Sequence, residues 1–115
     1  MVRDTISSIR TLEDLQSYIY KTLCVDNDLL NDAFPKSKRL IRCSNGELCG
    51  VMFCVHGPRT VDFTAIWERK KNRIFFYGPT GERYRQTCLE GTLTDSSESL
   101  ERLLNLEDKS KQRRN

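Results

Sequence analysis

Glu47-Leu48-Cys49-Gly50-Val51-Met52-Phe53-Cys54-Val55-His56, the break Gly57-Pro58-Arg59, and Thr60-Val61-Asp62-Phe63-Thr64-Ala65-Ile66-Trp67-Glu68 decide the fold. The first run is apolar on both parities, with Leu48, Met52 and Cys54 on one and Val51, Phe53 and Val55 on the other. Successive side chains of a strand point to opposite faces, so this pattern predicts a central strand covered on both sides. The second run alternates cleanly, with Val61, Phe63, Ala65 and Trp67 against Asp62 and Thr64. Two such runs across a Gly-Pro break are neighbouring antiparallel strands.

Working outward, the period of two persists. Leu40–Cys43 reads as a short strand, and Ser44-Asn45-Gly46 as a hairpin turn, because Asn-Gly supplies the positive φ that tight hairpins need. On the other side Lys70-Lys71-Asn72 turns the chain into an aromatic strand at 74–77. Gly78-Pro79-Thr80-Gly81 turns it again into a last strand at 82–89. On that strand strict alternation places Tyr84 and Cys88 on one face and Arg83 and Arg85 together on the other. The expectation is a meander of about five antiparallel strands. Gly78-Pro79-Thr80-Gly81 lacks the Lys and the following helix of a phosphate loop.

The flanks read as helical. Thr11 is an N-cap with Asp14 at N3, a variant of the capping box. Leu12, Leu15, Ile19 and Leu23 then recur at helical spacing, with Tyr18 beside them. This helix is expected to end near Cys24. A second short one is expected from Asp26, presenting Leu29, Leu30, Ala33 and Phe34 until Pro35 closes it. Leu29-Leu30 are core residues or, if exposed, a docking surface. Thr94, Asp95 or Ser96 caps a C-terminal helix carrying Leu100, Leu103, Leu104 and Leu106, and residues 107–115 form a disordered basic tail. The sum is one α+β domain over residues 1–106, with N-terminal helices on the sheet and a helix after it. Its expected core is Leu23, Val51, Phe53, Val55, Phe63, Ala65, Trp67 and Phe75.

Composition agrees. The chain has 115 residues, 37% hydrophobic and 30% charged, which suits one globular domain and excludes collagen-like and low-complexity chains. No apolar run approaches the roughly 18–20 residues of a membrane helix. Met1-Val2-Arg3-Asp4-Thr5 lacks a secretory apolar segment, so an intracellular protein is expected.

The five cysteines, Cys24, Cys43, Cys49, Cys54 and Cys88, are odd in number and contain no CxxC pair. They read as reduced thiols, mostly small buried hydrophobes. Cys43, Cys49, Cys54 and His56 fall within fourteen residues, but their spacing does not match structural zinc sites, so no metal or other cofactor is expected. Cys54 and His56 share a strand face. A thiol–imidazole pair also needs a third group to orient the base, and none is identifiable from the sequence.

The net charge of +3 conceals an asymmetry. Residues 1–34 hold three basic and six acidic residues, whereas 35–88 hold eleven and four. Such a region attracts anionic partners. Arg59, Arg69, Lys70, Lys71, Arg83 and Arg85 are the candidate binding residues. Lysines and arginines at strand edges also guard against aggregation without any partner.

Cys49-Gly50-Val51, Val55 and Asp62-Phe63-Thr64-Ala65-Ile66-Trp67 resemble one hairpin of the cap-binding translation initiation factors, over about twenty residues. The resemblance implies that Trp67 lies near a cap methyl group. It puts the family's phosphate-binding arginine at His56, with Arg59 as a loose substitute beyond two extra turn residues.

With no paired carboxylates, metal cluster or nucleotide motif, the expected function is a small non-enzymatic binding or adaptor module. It would engage an acidic protein through its basic sheet surface. RNA or phosphate binding is the alternative, and a cysteine-dependent enzyme the third. No membrane partner is expected, and a homodimer through a sheet edge is open.

Overall fold

The computed structural model describes residues 1–93 and Arg102. Six strands form one sheet: β1 (Val2–Ile6), β2 (Lys36–Arg42), β3 (Leu48–His56), β4 (Asp62–Glu68), β5 (Arg73–Tyr77) and β6 (Arg83–Leu89), with one α-helix, α1 (Leu12–Asp26), after β1. The strand order is β1-β6-β5-β4-β3-β2. Neighbours from β2 to β6 are antiparallel, and β1 lies parallel to β6, with Val2 opposite Arg85 and Ile6 opposite Leu89. The α+β class is as expected, but the sheet is mixed and six-stranded rather than a five-stranded antiparallel meander. β1 was missed because Val-Arg-Asp-Thr-Ile is half polar and pairs with a strand some eighty residues away, so no local signal announces it.

Local chemistry starts α1 as its sequence implies. The Asp14 amide donates to Thr11 Oγ1 (3.1 Å) and the Thr11 amide to Asp14 Oδ2 (3.3 Å), closing a capping box. Leu12, Leu15, Ile19 and Leu23 are buried, and α1 lies across β3 and β4. Its stripe meets Val51, Phe53, Val55, Phe63, Ala65, Trp67, Ile74 and Phe76 in one apolar core.

The second N-terminal helix is absent. α1 continues to Asp26 and stops at Asn27, whose side-chain amide donates to the Leu23 carbonyl (2.8 Å). Asp28 and Asp32 then take positive φ (57° and 61°), which no helix tolerates. Asp26 does not cap a new helix because Arg85 holds its carboxylate. Leu29 and Phe34 pack on the core without helical geometry, while Leu30 is exposed. The expected C-terminal helix, from Thr94, Asp95 or Ser96 through Leu106, and the tail 107–115 lie outside the described residues, Arg102 apart.

Among the described residues no element lies over the opposite face. β3 is therefore not covered on both sides as expected. Val51, Phe53 and Val55 are fully buried under α1, whereas Met52 and His56 are half-buried on the open face. That face shields its own apolar groups. The Arg73 and Arg83 guanidinium groups lie 4.8 and 3.9 Å from the Phe75 ring centroid, leaving Phe75 buried without a second layer.

Candidate functional site

The six basic residues do not form one surface. A register shift between β5 and β6 sets Phe76 opposite Arg85 and Tyr77 opposite Arg83, leaving Tyr84 as an extra residue. A bulge of this kind puts two consecutive residues on one side. Tyr84 and Arg85 therefore face α1, and Arg83 faces the open side. The expectations that Arg83 and Arg85 share a face, and that Tyr84 and Cys88 do, are both overturned.

Arg85 is held inside the fold. Its Nε and Nη2 donate to Asp26 (2.9 and 3.2 Å) and its Nη1 to Asp4 (2.8 Å). Thr87 Oγ1 completes the network with Asp4 at 2.6 Å. Burial acts to lower the Arg85 pKa, but the hydrogen bond and charge of Asp26, with Asp4, outweigh it and raise it. Arg83 covers Phe75 and donates to the Tyr77 hydroxyl (3.0 Å). Arg59 is exposed on the 3₁₀ turn Pro58–Thr60, at the end of the sheet opposite the 69–72 turn.

Arg69, Lys70 and Lys71 do converge. With Arg73 they line a cleft of about 870 Å³ between the 43–49 hairpin and the 69–72 turn, whose other walls are Cys43, Asn45, Glu47, Leu48, Cys49 and Glu68. Four cations thus face two carboxylates, and Arg73 Nε is paired with Glu68 at 2.9 Å.

Both walls are held by identifiable contacts. Cys43 and Cys49 form a disulfide with a Cα–Cα distance of 5.3 Å, inside the usual range. This corrects the reading of all five cysteines as thiols: Cys24, Cys54 and Cys88 are the free ones. Gly46 takes φ 87° in the turn, as Asn-Gly predicts. Across the cleft the Arg69 amide donates to the Cys49 carbonyl (2.9 Å). Asn72, at φ 49°, accepts from Trp67 Nε1 (2.9 Å) and donates to the Gly91 carbonyl.

A second constellation lies at the other end of the sheet on the open face. Cys54 and His56 are two apart on β3, Asp62 on β4 is opposite His56, and Ser37 on β2 is opposite Cys54. Directly opposed residues bring their Cβ atoms to about 4.5–5.5 Å, so the side chains meet. His56 Nδ1 lies 2.9 Å from Asp62 Oδ1 and 3.8 Å from Cys54 Sγ, and His56 Nε2 lies 2.8 Å from Ser37 Oγ. Asp62 is the orienting group that the sequence did not reveal. The clue was available: Asp62 is the residue that β3–β4 pairing sets across from His56. Burial first, then the Asp62 charge, raises the Cys54 pKa, so the thiol stays protonated near neutral pH.

Trp67 does not match the role its resemblance implied. It is 2% exposed and spends its indole N–H on Asn72, so no ligand base can stack on it. No family model, curated protein or solved structure matches this chain.

Proposed function

We propose that this protein is a non-enzymatic binding module that takes an acidic segment of a partner protein into the cleft between residues 43–49 and 69–73. The observation that carries the reading is the convergence of Arg69, Lys70, Lys71 and Arg73 in one walled cleft of about 870 Å³. Such a cleft offers charge to carboxylates and apolar contact at the Cys43–Cys49 disulfide. The basic sheet surface of the sequence reading thereby narrows to one end of the sheet, with Arg59, Arg83 and Arg85 outside it.

A protein partner is favoured over RNA on two grounds. Among the described residues no aromatic ring lines the cleft, whereas single-stranded nucleic acid binding relies on stacking. Glu47 and Glu68 on the walls would repel a continuous run of phosphates. A cysteine nucleophile is disfavoured by the raised Cys54 pKa, since the thiolate is the reactive form. No described helix is long and apolar enough to cross a membrane. The Cys43–Cys49 pair removes two of the five thiols on which an intracellular location was argued. Among the described residues β1 and β2 are the sheet edges, and β2 carries Lys36, Arg39 and Arg42, charges that discourage edge-to-edge pairing.

The test is fluorescence anisotropy with a labelled glutamate-rich peptide containing leucines, beside a mixed-sequence single-stranded RNA of equal charge. The peptide should bind more tightly. Reversing Lys70 and Lys71 to glutamate should weaken it at least about tenfold, roughly 1.4 kcal/mol. Peptide binding unchanged by that reversal, or RNA binding that is tighter and falls steeply with salt, would overturn the reading.

A further inference from the structure

We propose that Cys54, His56 and Asp62 form a binding site for a zinc-class divalent cation on the open face of the sheet, with a fourth position accessible to solvent. The site is independent of the cleft, which lies at the other end of β3.

The donor set suits such an ion. Zinc takes thiolate, imidazole and carboxylate ligands, and three protein ligands with one open position is the arrangement that leaves room for water or a substrate. Bonds of about 2.3 Å to sulfur and 2.0–2.1 Å to nitrogen or oxygen place neighbouring ligand atoms about 3.3–3.6 Å apart in a tetrahedron. Here Sγ of Cys54 and Nδ1 of His56 are 3.8 Å apart, and Nδ1 and Oδ1 of Asp62 are 2.9 Å apart. All three donor atoms lie within 4.8 Å of one another. The two histidine pairs thus stand within about half an ångström of tetrahedral spacing, and the Cys54–Asp62 pair, within 4.8 Å, closes by rotation of the exposed Asp62 side chain.

The outer contacts also fit. Metal-bound histidines typically donate their other ring N–H to an acceptor that fixes the tautomer. Ser37 Oγ stands 2.8 Å from Nε2 and can take that role, turning the Nδ1 lone pair toward Cys54 and Asp62. The Thr64 and Ser37 hydroxyls and the Phe63 backbone favour the Cys54 thiolate, against the larger effects of burial and the Asp62 charge that a bound dication would offset. The His56 and Asp62 side chains are 43% and 55% exposed, so an ion can enter from solvent.

Serine–imidazole–carboxylate contacts of this order would also suit a proton relay. The distinguishing feature is the sulfur beside the same Nδ1, for which a relay has no use and a soft cation does. A dication also reconciles a thiolate with a neighbouring carboxylate, which otherwise repel. On binding, the Cys54 thiol gives up its proton to solvent and the sulfur donates its lone pair to the metal.

The experiment is a cobalt(II) titration of the full chain in non-chelating buffer, read by the sulfur-to-cobalt charge-transfer band and by displacement with zinc. The band should appear at one equivalent and be bleached by zinc. Cys54→Ser should abolish it, and His56→Gln and Asp62→Asn should each weaken binding at least about tenfold. Ser37→Ala should weaken it about tenfold, as loss of an outer contact does, while Cys88→Ser should leave it unchanged. His56 and Asp62 are surface-accessible, so their variants remain informative if Cys54→Ser fails to fold. No band at millimolar cobalt, a band that survives in Cys54→Ser, one lost in Cys88→Ser, or affinity unaltered in both His56→Gln and Asp62→Asn would each overturn the site.

Discussion

Arg85 and Arg83 stand two residues apart on β6, yet the first lies under α1 between Asp4 and Asp26 and the second lies across Phe75 on the open face. The contrast extends over the whole sheet. On the covered face Val51, Phe53, Val55, Ala65, Ile74 and Phe76 have no exposed surface, and charged groups enter with partners, Arg85 with Asp4 and Asp26, Lys38 with Gln16 and Lys36 with Asp32. On the open face Met52 and Ile66 remain partly exposed, and charged or titratable side chains serve as the cover. Burial in a two-layer fold belongs to the face that meets the second layer. An apolar parity in the sequence does not by itself say which face that is.

The largest effect should fall on the covered face. Trp67→Ala removes a buried ring and its bond to Asn72 and should cost about 3–5 kcal/mol in denaturant melts. Ile66→Ala, the next residue but on the open face, should cost about 1 kcal/mol. Equal costs for the two would break the comparison and mean that a second layer covers the open face.

The next contrast is between the two arginine environments. Asp26→Ala leaves Arg85 with Asp4 alone in a site where the arginine and Asp26 side chains are 20% and 16% exposed. A loss of about 1–2 kcal/mol is expected, less than for a fully buried pair because water still reaches both groups. Arg83→Ala should cost about 0.5–1 kcal/mol, the range of an exposed cation–π contact. Urea denaturation of both variants measures the difference, and a larger loss for Arg83→Ala would reverse the assignment of faces.

The smallest effect concerns Tyr84, whose hydroxyl is buried without a well-formed hydrogen bond among the described residues. Burial and then the Asp26 charge push its ionisation well above the usual phenol range. The unfolded chain therefore ionises first as the pH rises. The stability tied to the protonated phenol is complete below the ordinary phenol pKa and is lost as pH climbs through and beyond it. Tyr84→Phe should change stability at neutral pH by less than about 1 kcal/mol and flatten the alkaline decline in a series of melts. A decline as steep as before would place its origin elsewhere, for instance at Cys54, whose pKa is also raised.

Much of this fold was legible because its signals are local. The capping box at Thr11 and Asp14, the Asn45-Gly46 hairpin, the Lys70-Lys71-Asn72 turn and the alternation of Phe63, Ala65 and Trp67 all report on residues a few positions apart. The expected core residues are all buried, although Phe75 is buried by arginines on the open face rather than by α1. The failures share the opposite character. β1 pairs across some eighty residues, Asp26 is a network partner rather than a helix cap, and the bulge at Tyr84 is a property of two strands together. Of the candidate sites, the grouping of Arg69, Lys70 and Lys71 was visible because one turn carries all three. The disulfide wall, and Asp62 beside His56, were not.

The sequence by itself determined the strand segments from β3 to β6 to within a residue or two, only the end of β2 (read as Leu40–Cys43, observed as Lys36–Arg42), the start and apolar stripe of α1, and a basic middle region, because each depends on periodicity or short-range chemistry. Tertiary structure alone decided which face α1 covers, which arginines are neutralised, and that Ser37, Cys54, His56 and Asp62 meet. Those outcomes depend on strand register. One extra residue in a strand moves every later side chain to the other face, and nothing in a side chain's own identity records that choice.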